Sequence, residues 1–280
     1  MGESEPDQVA DYVVSEDGTR IAYLSVGSGP GVVVVPGALS VASGYGRFAR
    51  ALGTGFTVHT MERRGRGESG PQRVGHGVEA DCADLRAVQD KTGAGLVVGH
   101  SYGGFVALEA ARADSGIRKV AVYEPGLSVD GSMPTEWMEP YEKYLAQGKP
   151  FDAFVEFARS MSPDHVRRIP RWMFRRMMPV IMKAPERDTV FGQLAQNLVE
   201  HRQYVRFDST YRHYAEITAE VLLLDGDKDR RGWTDGDQDF LASVIPHHQR
   251  AILPGLDHFG IDKGDPEGVA AVVGEFFSIR

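Results

Sequence analysis

Short runs of aliphatic and β-branched residues recur along the chain, separated by stretches whose apolar positions fall at helical spacing. Val32-Val33-Val34-Val35, Phe56 to Met61, Leu96-Val97-Val98, Arg118 to Tyr123, Val221 to Leu224 and Arg250 to Leu253 are such runs. They alternate little with polar residues, which predicts strands buried on both faces of a parallel sheet. Ahead of them, Tyr12-Val13-Val14 and Ile21-Ala22-Tyr23-Leu24 flank Glu16-Asp17-Gly18-Thr19, and Asp-Gly between apolar runs predicts a hairpin. Helices are predicted near Tyr45–Leu52, Val78–Lys91, Tyr102–Ala113 and Thr234–Val244. A closing helix is predicted with Asp265 as its cap and Pro266 at its first position.

Strands alternating with helices at this spacing imply an α/β fold: a doubly wound, mostly parallel sheet of about eight strands with right-handed crossovers. The pattern changes between 127 and 214. That segment holds only helical stretches broken by proline and glycine, at Thr135–Gln147, Phe151–Met161, Arg171–Lys183 and Val190–Val205. A structureless connection of such length is rare in a compact domain. The segment therefore reads as a helical cap inserted after the sixth strand, with residues 1–126 and 215–280 forming the core domain. Its Met, Trp and Phe content suits an apolar pocket wall, although most of these residues are expected to fill the cap's own core. Leu39, Trp137, Trp172, Met177 and Phe259 are the candidate pocket residues. The cluster Arg167, Arg168, Arg171, Arg175 and Arg176 reads as a solvated helix face paired with acids, ahead of an anion site.

Composition narrows the partners. The 280 residues carry a net charge of −8, which disfavours nucleic acid and anionic membrane surfaces. No apolar run approaches a membrane span, the polar start Met1–Asp7 does not resemble a secretory signal, and a cytoplasmic location is expected. The single cysteine, Cys82, excludes an internal disulfide and a cysteine metal cluster, and its place on an apolar helix stripe reads as packing. No cofactor or metal is implied. The expected partner is a small-molecule substrate, and a monomer or homodimer is the default.

Chemistry concentrates at the carboxyl ends of the predicted strands, where open α/β sheets bind ligands. Gly99-His100-Ser101-Tyr102-Gly103 joins a strand to a helix through a Gly-x-Ser-x-Gly turn, a context that thrusts the serine hydroxyl out of the fold. A serine needs a base, the base needs a carboxylate to fix its tautomer, and the oxyanion needs preorganised N–H donors. Of nine histidines, His258 alone directly follows the last strand in a glycine-containing loop. His76 reads as part of a surface loop. Asp229, in Gly226-x-x-Asp229 after the preceding strand, is favoured as the acid, with Glu124 at the end of the strand before the cap as the alternative. The backbone amides of Tyr102 and of Ala38, or Leu39 next to it, are the expected oxyanion donors.

These residues resemble the α/β-hydrolase superfamily, in its serine-nucleophile, esterase-like branch with a helical cap, over essentially the whole chain. Gly99 to Gly104 is similar to the nucleophile elbow, and Glu62-Arg63-Arg64-Gly65-Arg66-Gly67-Glu68-Ser69 to the Asp-x-Arg-Gly-x-Gly-x-Ser loop. Gly226-x-x-Asp229 and His258 match the acid and base positions. The usual His-Gly of the oxyanion loop is Pro36-Gly37, and Glu62 replaces the usual aspartate. The resemblance implies a cofactor-free hydrolase of an ester, thioester or lactone with an apolar acyl part. The same triad also serves C–C hydrolysis, lyase, cyclase and acyl-transfer steps, and the scaffold can act as a ligand receptor.

Overall fold

A computed structural model describes residues 8–113, 116–228 and 236–279. The chain opens with β1 (Val9–Val14), β2 (Arg20–Gly27) and β3 (Gly31–Val35), then α1 (Gly46–Leu52), β4 (Thr57–Met61), α2 (Val78–Thr92), β5 (Leu96–His100), α3 (Tyr102–Ala113) and β6 (Lys119–Tyr123). Six helices follow: α4 (Met138–Ala146), α5 (Pro150–Ser160), α6 (Asp164–Arg167), α7 (Arg171–Ile181), α8 (Glu186–Gly192) and α9 (Leu194–Arg206). The sheet then resumes with β7 (Glu220–Gly226), α10 (Asp237–Val244), β8 (His248–Leu253) and α11 (Pro266–Ser278).

The eight strands form one sheet in the order β1-β2-β4-β3-β5-β6-β7-β8. The hairpin β1–β2 is antiparallel and β2 pairs antiparallel with β4, while every pairing from β4 to β8 is parallel. Apolar side chains pack on both faces, as the unbroken β-branched runs require. One face buries Val33, Val35, Val97, Val120 and Val122 against α2 and α3, and the other buries Val32, Val34, Val98, Ala121 and Leu224 against α1 and α11. Asp265 caps α11 by accepting the Gly268 amide, with Pro266 at the first position. The helical segment between β6 and β7 has an apolar cluster of its own around Trp137, Tyr141, Phe154, Phe174 and Met178. Among the described residues no helix is long and apolar enough to cross a membrane.

Candidate active site

Ser101 sits where β5 turns into α3, with φ of 53°, in the left-handed region. A non-glycine residue there is strained and persists only where its surroundings over-determine it. They do. The Ser101 amide donates to the Tyr123 carbonyl at 3.1 Å, and the Ser101 carbonyl accepts from Gly104, Phe105 and Gly126 at 2.9, 3.1 and 3.1 Å. The turn is tight enough that a Cβ on Gly103 would lie 2.0 Å from the Val35 carbonyl oxygen, so only glycine lets the helix start this close to β3.

His258 follows β8 and reaches back over the sheet. Its Nδ1 lies 2.8 Å from Glu124 Oε2, and both side chains are mostly buried, at 17% and 23% exposure. A carboxylate only accepts, so Nδ1 carries the proton and Nε2 is the acceptor nitrogen of the ring. The second Glu124 oxygen accepts the Gly226 amide at 3.2 Å, which ties the ends of β6 and β7 to the imidazole. Among the described residues, Glu124, the alternative acid from the sequence, has its carboxylate on His258. Asp229 lies outside the described residues.

A second histidine braces the first. Tyr45 accepts the Gly37 amide at 3.0 Å, so its hydroxyl proton goes to His100 Nδ1 at 2.6 Å, and His100 Nε2–H donates to the His258 carbonyl at 2.8 Å. Burial pushes the Tyr45 phenol up, out of reach of ionisation. The chain Gly37–Tyr45–His100–His258 connects the loop after β3, the elbow and the base. The sequence offered no sign of it, because Tyr45 reads as an ordinary helix-start aromatic.

Ala38, Leu39, Ser101, Glu124, His258 and Phe259 open into one cavity of about 970 Å³, at the large end for small-ligand pockets. The backbone amides of Tyr102 and Ala38 have no acceptor among the described residues, and Leu39 has φ of 55°. The far wall comes from the helical segment, including Phe154, Phe157, Met161, Phe174, Met178 and Met182.

Three expected pocket residues do not reach it. Trp137 is buried in the cap cluster, stacked edge-on against Tyr141, Phe157 and His201, with its Nε1 donating to the Pro134 carbonyl at 2.9 Å. Trp172 and Met177 lie on the outer side of α7, 69% and 41% exposed. The inner stripe is Phe174, Met178 and Met182, at i, i+4 and i+8. Helix α7 is apolar on both sides, so sequence spacing alone could not choose between them. Three arginines of the cluster pair with acids, Arg167 with Glu136, Arg171 with Glu156 and Arg175 with Asp152, and none of the five lines the cavity. His76 is also corrected: it is buried, with Nε2 3.1 Å from Asp81.

The fold and this constellation define a class, and comparison with known proteins agrees. Residues 32–272 match the alpha/beta hydrolase family, and the chain belongs to that family. N-formylmaleamate deformylase of Pseudomonas putida is 29% identical over 186 residues, covering 63% of this chain and 69% of the relative. An alpha/beta hydrolase from Sphaerobacter thermophilus superposes with a TM-score of 0.81 at 31% identity, over 96% of this chain and all of that one. The enol-lactonase of Burkholderia xenovorans shares the fold at a TM-score of 0.74 and 17% identity, over 96% of this chain and 100% of its own.

Proposed function

We propose that this α/β hydrolase cleaves an ester, thioester or lactone of a small, largely apolar substrate through an acyl-enzyme. The observation that carries the reading is the shared cavity: a strained Ser101, and a His258 whose tautomer is fixed by Glu124, open into the same space. His258 Nε2 takes the Ser101 proton as the hydroxyl attacks the acyl carbonyl. The amides of Tyr102 and Ala38 hold the oxyanion, and Glu124 stabilises the imidazolium. His258 then protonates the leaving group, and the same base activates water to release the acid. The helical segment acts as a cap whose inner Phe and Met side chains hold the acyl chain. Removal of a formyl group, the reaction in the name of the P. putida relative, is acyl transfer of the same class.

The test is labelling with a fluorophosphonate, located by peptide mass spectrometry. The expected result is a label confined to Ser101 and absent from Ser101→Ala. A folded protein that takes no label overturns the acyl-enzyme reading.

A further inference from the structure

The loop that carries Ala38 is held from below by a side chain that the family pattern leaves open. In Glu62-Arg63-Arg64-Gly65-Arg66-Gly67-Glu68-Ser69, the arginine of the motif is Arg64, which pairs with Asp17 and Asp84 away from the cavity. Arg63 and Arg66 occupy positions that the motif leaves unspecified. Yet the Arg63 side chain is fully buried, and its fork is spent on the oxyanion loop. Nε donates to the Pro36 carbonyl at 2.9 Å and Nη2 to the Gly37 carbonyl at 2.7 Å. The other edge of the guanidinium meets Glu200 of α9, with Nη1 to Oε1 at 2.7 Å and Nη2 to Oε2 at 3.2 Å. Glu200, also fully buried, takes Arg66 Nη2 at 2.7 Å as well.

The consequence follows from peptide geometry. In a trans peptide the C=O and N–H point in opposite directions. The Pro36–Gly37 peptide is fixed at both ends, its carbonyl on Arg63 and its N–H on the Tyr45 hydroxyl. The next peptide is fixed at the Gly37 carbonyl, so its Ala38 N–H must point away from Arg63. The loop packs closely on the elbow here, since a Cβ at Gly37 would lie 3.2 Å from both His100 Nδ1 and Ser101 Cβ.

We infer that Arg63 is a positioning residue, which aims and polarises the Ala38 amide for the oxyanion, and that Glu200 makes this alignment depend on a docked cap. Burial opposes the charge on Arg63, but the Glu200 carboxylate outweighs it and raises its pKa. Burial likewise opposes ionisation of Glu200, and the two arginines overcome it and lower its pKa. The pair therefore stays ionised throughout the working pH range. The guanidinium also lies 4.8 Å from the centre of the Tyr102 ring, beneath the second proposed oxyanion donor.

The catalytic part rests on the acyl-enzyme reading, whereas the positioning part does not, and the experiment separates them. Lysine at 63 keeps the charge but cannot make the fork. Glu200→Gln keeps the size and leaves Arg63 its two carbonyls. Hydrogen–deuterium exchange over residues 34–45 is measured for wild type, Arg63→Lys and Glu200→Gln, each first shown to be folded by circular dichroism. Turnover of p-nitrophenyl butyrate and the rate of fluorophosphonate labelling are measured alongside. Both variants should exchange faster in that loop. The kcat of Arg63→Lys should fall about 10- to 100-fold with KM within about twofold, since an oxyanion donor acts on the transition state. Glu200→Gln should lose less, and the double variant no more than Arg63→Lys alone. Wild-type exchange in folded Arg63→Lys overturns the inference, as does wild-type kcat in an active enzyme. Faster loop exchange with a wild type inert to both probes upholds the positioning and retires the acyl-enzyme reading.

Discussion

The sheet core and the helical insertion use apolar residues in different ways. In the core, one run makes one strand, both faces are covered, and each strand end has a fixed place in the row. Position along the chain therefore translates directly into position at one end of the sheet: Ser101 directly follows β5, Glu124 directly follows β6 and His258 comes after β8. In the insertion, apolar residues serve two masters. Trp137 and Tyr141 fill an internal cluster, while Phe174, Met178 and Met182 also line the cavity. The core sets the strand ends side by side, whereas the facing of the insertion's side chains depends on helix rotations that spacing does not specify.

The largest expected effect tests the core side. Under the acyl-enzyme reading, Glu124→Gln keeps the shape but loses the charge that holds the His258 tautomer. Loss of the orienting charge in a serine triad costs about 10⁴ in kcat, and a fall of about 10³ to 10⁴ at little changed KM is expected here. Steady-state kinetics of Glu124→Gln beside Asp229→Asn decide between the two strand ends. A greater loss in the Asp229 variant would return the acid role to the end of β7.

The next test is on the insertion. Met178 faces the cavity and Met177 faces outward, one residue apart on α7. Met178→Ala should enlarge the pocket and shift preference along a series of p-nitrophenyl acyl esters toward longer chains, each added methylene being worth about 1–3 kcal/mol in a filled pocket. Met177→Ala should leave the profile unchanged and alter stability by no more than about 0.5 kcal/mol. Equal profiles for the two variants would mean that the inner stripe does not hold the acyl chain.

The parts legible in the sequence share one property: they are set by local pattern. The strands, the elbow and the α11 cap all follow from short runs and turn chemistry. Glu124 is legible as a rival because it directly follows β6, but the Gly226-x-x-Asp229 spacing read alone favours Asp229. What stayed hidden depends on contacts between distant segments. Arg63 and Glu200 are 137 residues apart, and each alone reads as a surface charge on a loop or a helix. Tyr45, His100 and the His258 carbonyl become one chain only after β3, β5 and β8 are set side by side. The inner side of α7 stays hidden for a related reason, since a helix with two apolar sides carries no signal of which one meets the cavity.

The smallest effect contrasts the two regions through pH. In the insertion, burial lowers the pKa of His201 from 6.5 to about 4, and its Nδ1 lies 2.9 Å from the Asn197 carbonyl. The folded state therefore refuses a proton that the unfolded chain accepts below pH 6.5, so stability falls as pH drops from there toward 4. Between pH 7 and 5 this amounts to about 2 kcal/mol. In the core, burial raises the pKa of Asp262 from 3.8 to about 6. Here the folded state keeps a proton that the unfolded chain releases, so stability falls as pH climbs from about 4 toward 6. The two contributions oppose each other and nearly cancel across that window. His201→Phe removes the first contribution, so its stability should gain on that of wild type as the solution is acidified through this range. Asp262→Asn removes the second and should steepen the acid loss. Urea midpoints for the three proteins at half-unit pH steps read both slopes. A His201→Phe curve parallel to wild type would show that the imidazole takes up its proton equally in the folded and unfolded chain, and that the insertion's core is wetter than its packing implies.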